Sequence, residues 1–142
     1  MFVRCEARLR AMQTAGLGAY ARVIAGEFTE EAGERGAERL LRSGPLPTAV
    51  ICANDLVAVG LIDRLEQDGV RIPDDVSVVG YDNTFIAALN HIRLTTIHQP
   101  RWQMGREAFQ LLLERAAGRA RRATRVHAPQ LMIRSTTAPP PR

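Results

Sequence analysis

Three short polar groups in this 142-residue chain carry side chains suited to holding a small molecule: Glu27-Phe28, Asn54-Asp55 and Tyr81-Asp82-Asn83. Together they offer an aromatic face, an amide that both donates and accepts, and carboxylates that can each accept two hydroxyls. That set suits a polyhydroxylated or similarly hydrogen-bonding ligand. Each group also has a purely structural use. Asn54 and Asp55 match a helix N-cap, Phe28 suits packing on the helix that follows, and Asp82 before Asn83-Thr84 suits an Asx turn. Catalysis has less support, because the chain has no nucleophile elbow, phosphate-binding glycine loop or zinc-binding helix motif, and Ser43, Ser77 and Ser135 lack an obvious paired base. Cys5 and Cys52 form no CxxC pair, and His91, His98 and His127 show no metal-like spacing, so neither a metal nor a cofactor is expected.

Short apolar runs alternate with amphipathic stretches, the pattern of successive strand–helix units. Ala21 to Ala25 reads as a strand. Thr29, followed by Glu30 and Glu31, opens a helix that buries Ala32, Gly36 and Leu40 and stops at Gly44-Pro45. Thr48 to Ala53 is the next strand. A helix capped by Asn54-Asp55 then runs to Gly69, and Val76 to Gly80 is a third strand. Crossovers of this length predict an α/β fold with a parallel sheet flanked by helices. In such sheets ligands bind beyond the carboxyl ends of the strands, and all three polar groups fall at such ends. Further on, Leu94 to His98 is extended, Pro100 opens a helix to about Ala117, Val126 to Ile133 reads as a last strand, and the proline-rich tail is extended or disordered.

Apolar residues make up 46% and charged residues 24%, which excludes a disordered chain, and no apolar run is long enough to span a membrane. The start of the chain lacks the order of a signal peptide, so a cytoplasmic location is expected. All 19 basic residues are arginine, and they give a net charge of +4. A GC-rich coding bias accounts for this better than a nucleic-acid surface does, because most of the arginines are spread singly. The one cluster, Arg115, Arg119, Arg121, Arg122 and Arg125 around Gly118, suits a solvated loop or a phosphate contact.

The stretch Pro47-Thr48-Ala49-Val50-Ile51-Cys52-Ala53-Asn54-Asp55-Leu56-Val57-Ala58-Val59-Gly60 resembles a signature segment of the LacI/GalR family of bacterial transcription regulators. Gly69 to Asn83, with Pro73-Asp74-Asp75-Val76-Ser77, follows in the family's order. So do Leu94-Thr95-Thr96-Ile97-His98-Gln99-Pro100, Met104-Gly105-Arg106-Glu107-Ala108 and Leu131-Met132-Ile133-Arg134-Ser135-Thr136. The resemblance implies the carboxyl lobe of a two-lobed, periplasmic-binding-protein-like (type I) effector domain, truncated. Residues 1–93 would form most of that lobe, 94–125 a crossing strand and a helix that packs on the other lobe, 126–137 a returning strand and 138–142 a tail. The DNA-binding domain is absent from this plan.

The same resemblance places the family's ligand-contacting aspartate on Asp82, its amide on Asn54, its stacking aromatic on Phe28, its crossing-strand glutamine on Gln99 and its arginine on Arg4. Ala7 and Arg8 stand where the family has a glycine and an aromatic. The effector would be a sugar or a purine-like molecule. The helices from Asp55 and from about Asn83 would meet a second copy in a homodimer, through Leu56, Val57 and Leu61. Operator DNA would be contacted only through a helix-turn-helix outside this chain, with no membrane partner and no enzymatic activity. The carboxyl lobe of a sugar-transport binding protein is the alternative, and the Pro47-Thr48-Ala49 and Pro73-Asp74-Asp75-Val76-Ser77 combination favours a regulator.

Overall fold

In the computed structural model, the backbone is described for residues 2–140 and side chains for residues 6–140. The order is α1 (Phe2–Thr14), α2 (Glu30–Arg42), β1 (Ala49–Ile51), α3 (Asp55–Gln67), β2 (Ser77–Val79), β3 (Thr96–His98), α4 (Arg101–Ala116) and β4 (Gln130–Met132). Single 3₁₀ turns lie at Gly18–Tyr20 and Ile86–Ala88.

Helix α2 begins as its sequence dictates. The Thr29 hydroxyl accepts from the Ala32 N–H, Glu30 and Glu31 stand in the positive first turn, and Arg39 and Arg42 occupy the last. Its inner face, Gly33, Gly36, Ala37 and Leu40, lies on α3. The two helices cross at glycines: a Cβ on Gly33 would fall 2.7 Å from the Leu61 nitrogen, and one on Gly60 would fall 2.8 Å from the Glu30 carbonyl carbon. Backbone therefore rests on backbone at the crossing. Leu40, Leu61, Leu65, Val76, Val78 and Leu94 form the core between this helix pair and the sheet. Each such side chain contributes about 1.5–3 kcal/mol by leaving water.

Strands β1 and β2 are parallel, with Val50 opposite Val78, as the strand–helix–strand pattern predicts. The chain beyond β2 continues parallel to the 94–98 run, through bridges from Val79 to Thr95 and from Asp82 to His98. The C-terminal segment ties β2 to the 94–98 run. Buried Thr136 donates to the Val78 carbonyl at 2.7 Å and accepts from the Thr95 N–H at 2.9 Å.

Three elements differ from expectation. Residues 21–25 form no strand, and Val23 and Ile24 are exposed. A strand needs a paired edge, and no described strand lies alongside these residues; α2 instead reaches them through Arg39, which donates to the Ala25 carbonyl at 3.1 Å. The expected strand from Val126 to Ile133 shrinks to β4, which pairs antiparallel with β3, so the sheet is not parallel throughout. The helix expected from about Asn83 is only the single turn at Ile86–Ala88. There Asp82 and Asn83 take positive φ values of 105° and 50°, and the Thr84 N–H is drawn to Asp55 at 2.6 Å, which spoils a helical start.

Candidate functional site

The loops that follow β1 and β2 meet the end of β3 on one side of the sheet, and Asp55 holds them there. Its carboxylate, fully buried in the first turn of α3, accepts from the Thr96 hydroxyl at 2.6 Å and from the Thr84 N–H and hydroxyl at 2.6 and 2.9 Å. It thereby ties α3, the loop after β2 and β3 together with charge-assisted bonds. Gly80 leaves room for it, since a Cβ there would stand 2.5 Å from Asp55 Oδ1. Asp55 is thus a structural tie, and the carboxylates left to face a ligand lie elsewhere.

Asp82 is one of them. It is half-buried, its N–H donates to the Ile97 carbonyl at 2.9 Å, and its carboxylate accepts from the Gln99 amide at 2.6 Å. The structure thus brings together two residues seventeen positions apart in sequence. The backbone at Asp82 lies in the left-handed half of φ space, a conformation that costs about 1–3 kcal/mol for a residue with a side chain. Next to it, Asn83 is held on several sides. Its amide nitrogen lies 3.2 Å from His98 Nδ1, its amide oxygen accepts from Arg134 at 2.7 Å, and its carbonyl accepts from Arg101 at 3.3 Å.

Asn54 performs two tasks. Its Oδ1 accepts from the Val57 N–H at 2.9 Å, capping α3, and its Nδ2 donates to the Phe28 carbonyl at 3.0 Å. The capping use is therefore real, and the amide also fixes the loop that carries Phe28. The Phe28 side chain is 45% exposed and does not fill the core. Asn54 and Phe28 form one joined pair, and Asp82 and Gln99 the other.

Arg4 lies on α1, and its side chain falls outside the described residues. One helical turn later, Arg8 reaches the strand ends. It donates to the Cys52 carbonyl at 3.1 Å, and its guanidinium lies 5.8 Å from the centre of the Tyr81 ring. A cation over an aromatic face is attractive, and here it joins the end of β1 to the residue before Asp82. Sequence reasoning missed Arg8. The signal was its four-residue offset from Arg4, which sets both on one helix face. Burial, partly offset by Arg8, pushes the Cys52 thiol up to about 12. Cys52 is therefore a neutral core group, not a nucleophile.

Beside Gln99 and Tyr81 opens a hollow of about 250 Å³, bounded also by Met104, Arg125 and His127. Among the described residues no cluster of histidine, cysteine and carboxylate side chains is positioned to hold a metal ion, and no helix is long and apolar enough to cross a membrane.

Residues 3–137 match the family model of the periplasmic binding protein-like domain. The chain is 40% identical over 116 residues to the HTH-type transcriptional repressor PurR of Vibrio atlanticus (strain LGP32), a match that covers 80% of this chain and 34% of that protein. Among solved structures it resembles a LacI transcriptional regulator from a Rhodococcus species, with 39% identity and a TM-score of 0.89 over 94% of this chain and 50% of that one. It also resembles a LacI family regulator from Enterococcus faecalis V583 solved with bound ribose, with 34% identity and a TM-score of 0.74 over 83% of this chain and 44% of that one. The chain thus spans about a third of the length of the curated relatives it matches.

Proposed function

Because this chain belongs to the periplasmic-binding-protein-like domain family, in the form found in LacI/GalR-type regulators, we propose that it senses a small-molecule effector for a transcription regulator. The effector is a sugar or a purine-like molecule. It binds beyond the carboxyl ends of β1, β2 and β3, where Asp82 and Gln99 provide a carboxylate and an amide for its polar edge. Phe28, on a loop held by Asn54, provides an apolar face, and Arg8 approaches from α1, the helix that also carries Arg4. The observation that carries the reading is the 2.6 Å bond between Gln99 and Asp82, at a strand end whose backbone is held in a costly conformation. Strain kept at one half-buried carboxylate at a strand end points to a use other than packing.

The remaining parts of the reading follow the same resemblance. Residues 1–93 and 126–137 form one lobe, while 94–125 cross to a second lobe. Operator DNA is contacted by a helix-turn-helix outside these residues, and α3 offers the exposed Leu56 to a second copy. Leu61, expected to be shared with that copy, is buried in the core, so it supports the lobe itself. A regulator is favoured over a transport protein because the similar proteins above are regulators by name.

The test is calorimetric titration of the purified protein against pentoses, hexoses, disaccharides and purine bases, with Asp82→Ala as the control. Removing a charged acceptor from a bound hydroxyl pair is expected to cost about 1.5–3 kcal/mol, roughly tenfold to a hundredfold in affinity. An unchanged affinity in a variant with the parent's melting temperature overturns the assignment of Asp82.

A further inference from the structure

Segment 118–130 returns alongside α4 and leaves a trough against its first turns. The hollow beside Tyr81 and Gln99 is one half of it. The other half, about 290 Å³, is bounded by His98, Gln103, Gln130 and again His127. The two share Pro100, Val126 and His127, and each is near the small end of ligand-sized cavities.

The chemistry of the walls is one-sided. Neither half is lined by an aspartate or a glutamate, in a chain that has 15 of them. What lines them instead is an arginine, two histidines, three glutamine amides and a phenol. Two carboxylates are bonded to wall residues: Asp82 accepts from the Gln99 amide at 2.6 Å, and Glu107 lies 3.4 Å from His127 Nε2. The N-terminus of α4, at the same place, has no acid in its first turn and no side-chain cap, so its partial positive charge adds to the same sign. Arg125 is exposed and has no hydrogen-bond or ion-pair partner among the described residues. Two others of the arginine cluster, Arg115 and Arg119, behave differently. Arg115 donates to the carbonyls of Arg119 and Ala120 at 2.7 and 2.9 Å, and Arg119 pairs with Glu114 at 3.0 Å. They close the loop, whereas Arg125 is left to face a ligand.

We propose that this trough is an anion subsite, with Arg125 as its charged anchor, for the phosphate group of a phosphorylated sugar or similar polyol. The inference rests on the proposed effector site, to which it adds a charge requirement. A guanidinium and several neutral donors around an open volume suit a tetrahedral group with three acceptor oxygens. Asp82 and Gln99, at the rim by Tyr81, remain for the hydroxyls.

The experiment compares ribose, ribose 5-phosphate and ribonate by calorimetry on the parent protein, Arg125→Gln and Asp82→Asn. It also follows inorganic phosphate alone by phosphorus NMR line broadening. Ribose 5-phosphate is expected to bind at least tenfold more tightly than ribose, with that ratio falling close to one in Arg125→Gln and recovering in large part in Arg125→Lys. Broadening of the inorganic phosphate line should vanish in Arg125→Gln. A ratio unchanged by Arg125→Gln, equal affinities for ribose and its phosphate, or an equal gain for ribonate overturns the phosphate subsite. If Asp82→Asn alters neither sugar while the phosphate line still responds to Arg125, the subsite stands and the hydroxyl assignment at Asp82 fails. Should no sugar bind, the inorganic phosphate line decides alone: Arg125-dependent broadening supports the subsite, and its absence in the parent overturns it.

Discussion

Asp82 sets function against stability at a single residue. With φ at 105°, it adopts a backbone that glycine tolerates without strain. Asp82→Gly should therefore leave the melting temperature near the parent's, because relieved strain offsets the lost bond from Gln99. It should also weaken effector affinity by roughly tenfold to a hundredfold, as the loss of the same carboxylate in Asp82→Ala does. Chemical denaturation run beside calorimetry separates the two; a large stability loss with normal binding would mark Asp82 as a turn residue only. Cys52 makes the opposite case. Burial raises its thiol from 9.0 to about 12, so Cys52 should resist alkylation at mildly alkaline pH until the protein is unfolded. The sign of the linkage follows. The folded state holds this proton more firmly than the unfolded chain, so the contribution of Cys52 to stability is lost as pH rises from about 9 toward about 12. Rapid alkylation at Cys52 in the native protein, told apart from Cys5 by peptide mapping, would show that Cys52 is reachable. At this scale the strand-end position of Asp82 was legible in the sequence, whereas its bond from Gln99 is made only in the folded chain. Asp55 was not separable from Asn54, because nothing local distinguishes a buried carboxylate from one that faces a ligand. That difference is made by Thr84 and Thr96, which reach Asp55 only in the folded chain.

The two best-read elements, α2 and α3, owe their legibility to caps and periodicity, which are local properties. Asn54 shows how a cap and a site can share one side chain. Asn54→Asp keeps an acceptor for the Val57 N–H but loses the donor to Phe28, so helix stability should hold to within about 0.5 kcal/mol while binding weakens. Equal losses of both in thermal melts and titration would reduce Asn54 to a cap. Gly33 and Gly60 mark where the two helices touch. An added methyl at either position meets backbone, not a side chain that can turn aside, so Gly33→Ala and Gly60→Ala should each cost about 3 kcal/mol or more despite alanine's better helix propensity. A variant as stable as the parent in urea would mean that the helices can separate freely. The strand expected at 21–25 shows the limit of local reading. Its apolar alternation is genuine, but a strand is completed by a neighbouring edge, and composition does not reveal whether that edge is there.

At the scale of the whole molecule, surface is the telling quantity. A compact monomer of 15.7 kDa is expected to expose about 7,300 Å², and this chain exposes 10067 Å². Helix α4 has no buried residue and carries several exposed apolar side chains. Trp102 is 95% exposed, Leu112 64% and Phe109 60%. Tyr20, Val23 and Ile24 add a second apolar stretch beside the unpaired segment. Apolar area on this scale is uncommon on a monomer in water, and covering it recovers about 25 cal/mol for each Å² removed from solvent. Domains of this size are stable by only about 5–15 kcal/mol, so even partial cover shifts the balance between folded and unfolded chain. The purified 142-residue chain should accordingly self-associate, with an unfolding midpoint that rises with protein concentration as mass action requires. Replacing Trp102 and Leu112 by glutamate should weaken association without touching the core around Leu65 and Val78, since neither side chain reaches it. Sedimentation velocity over a broad concentration range, paired with denaturant melts at each concentration, gives the answer. A single monomeric species with a concentration-independent midpoint would show that α4 and the 20–24 stretch are stable against water as they stand.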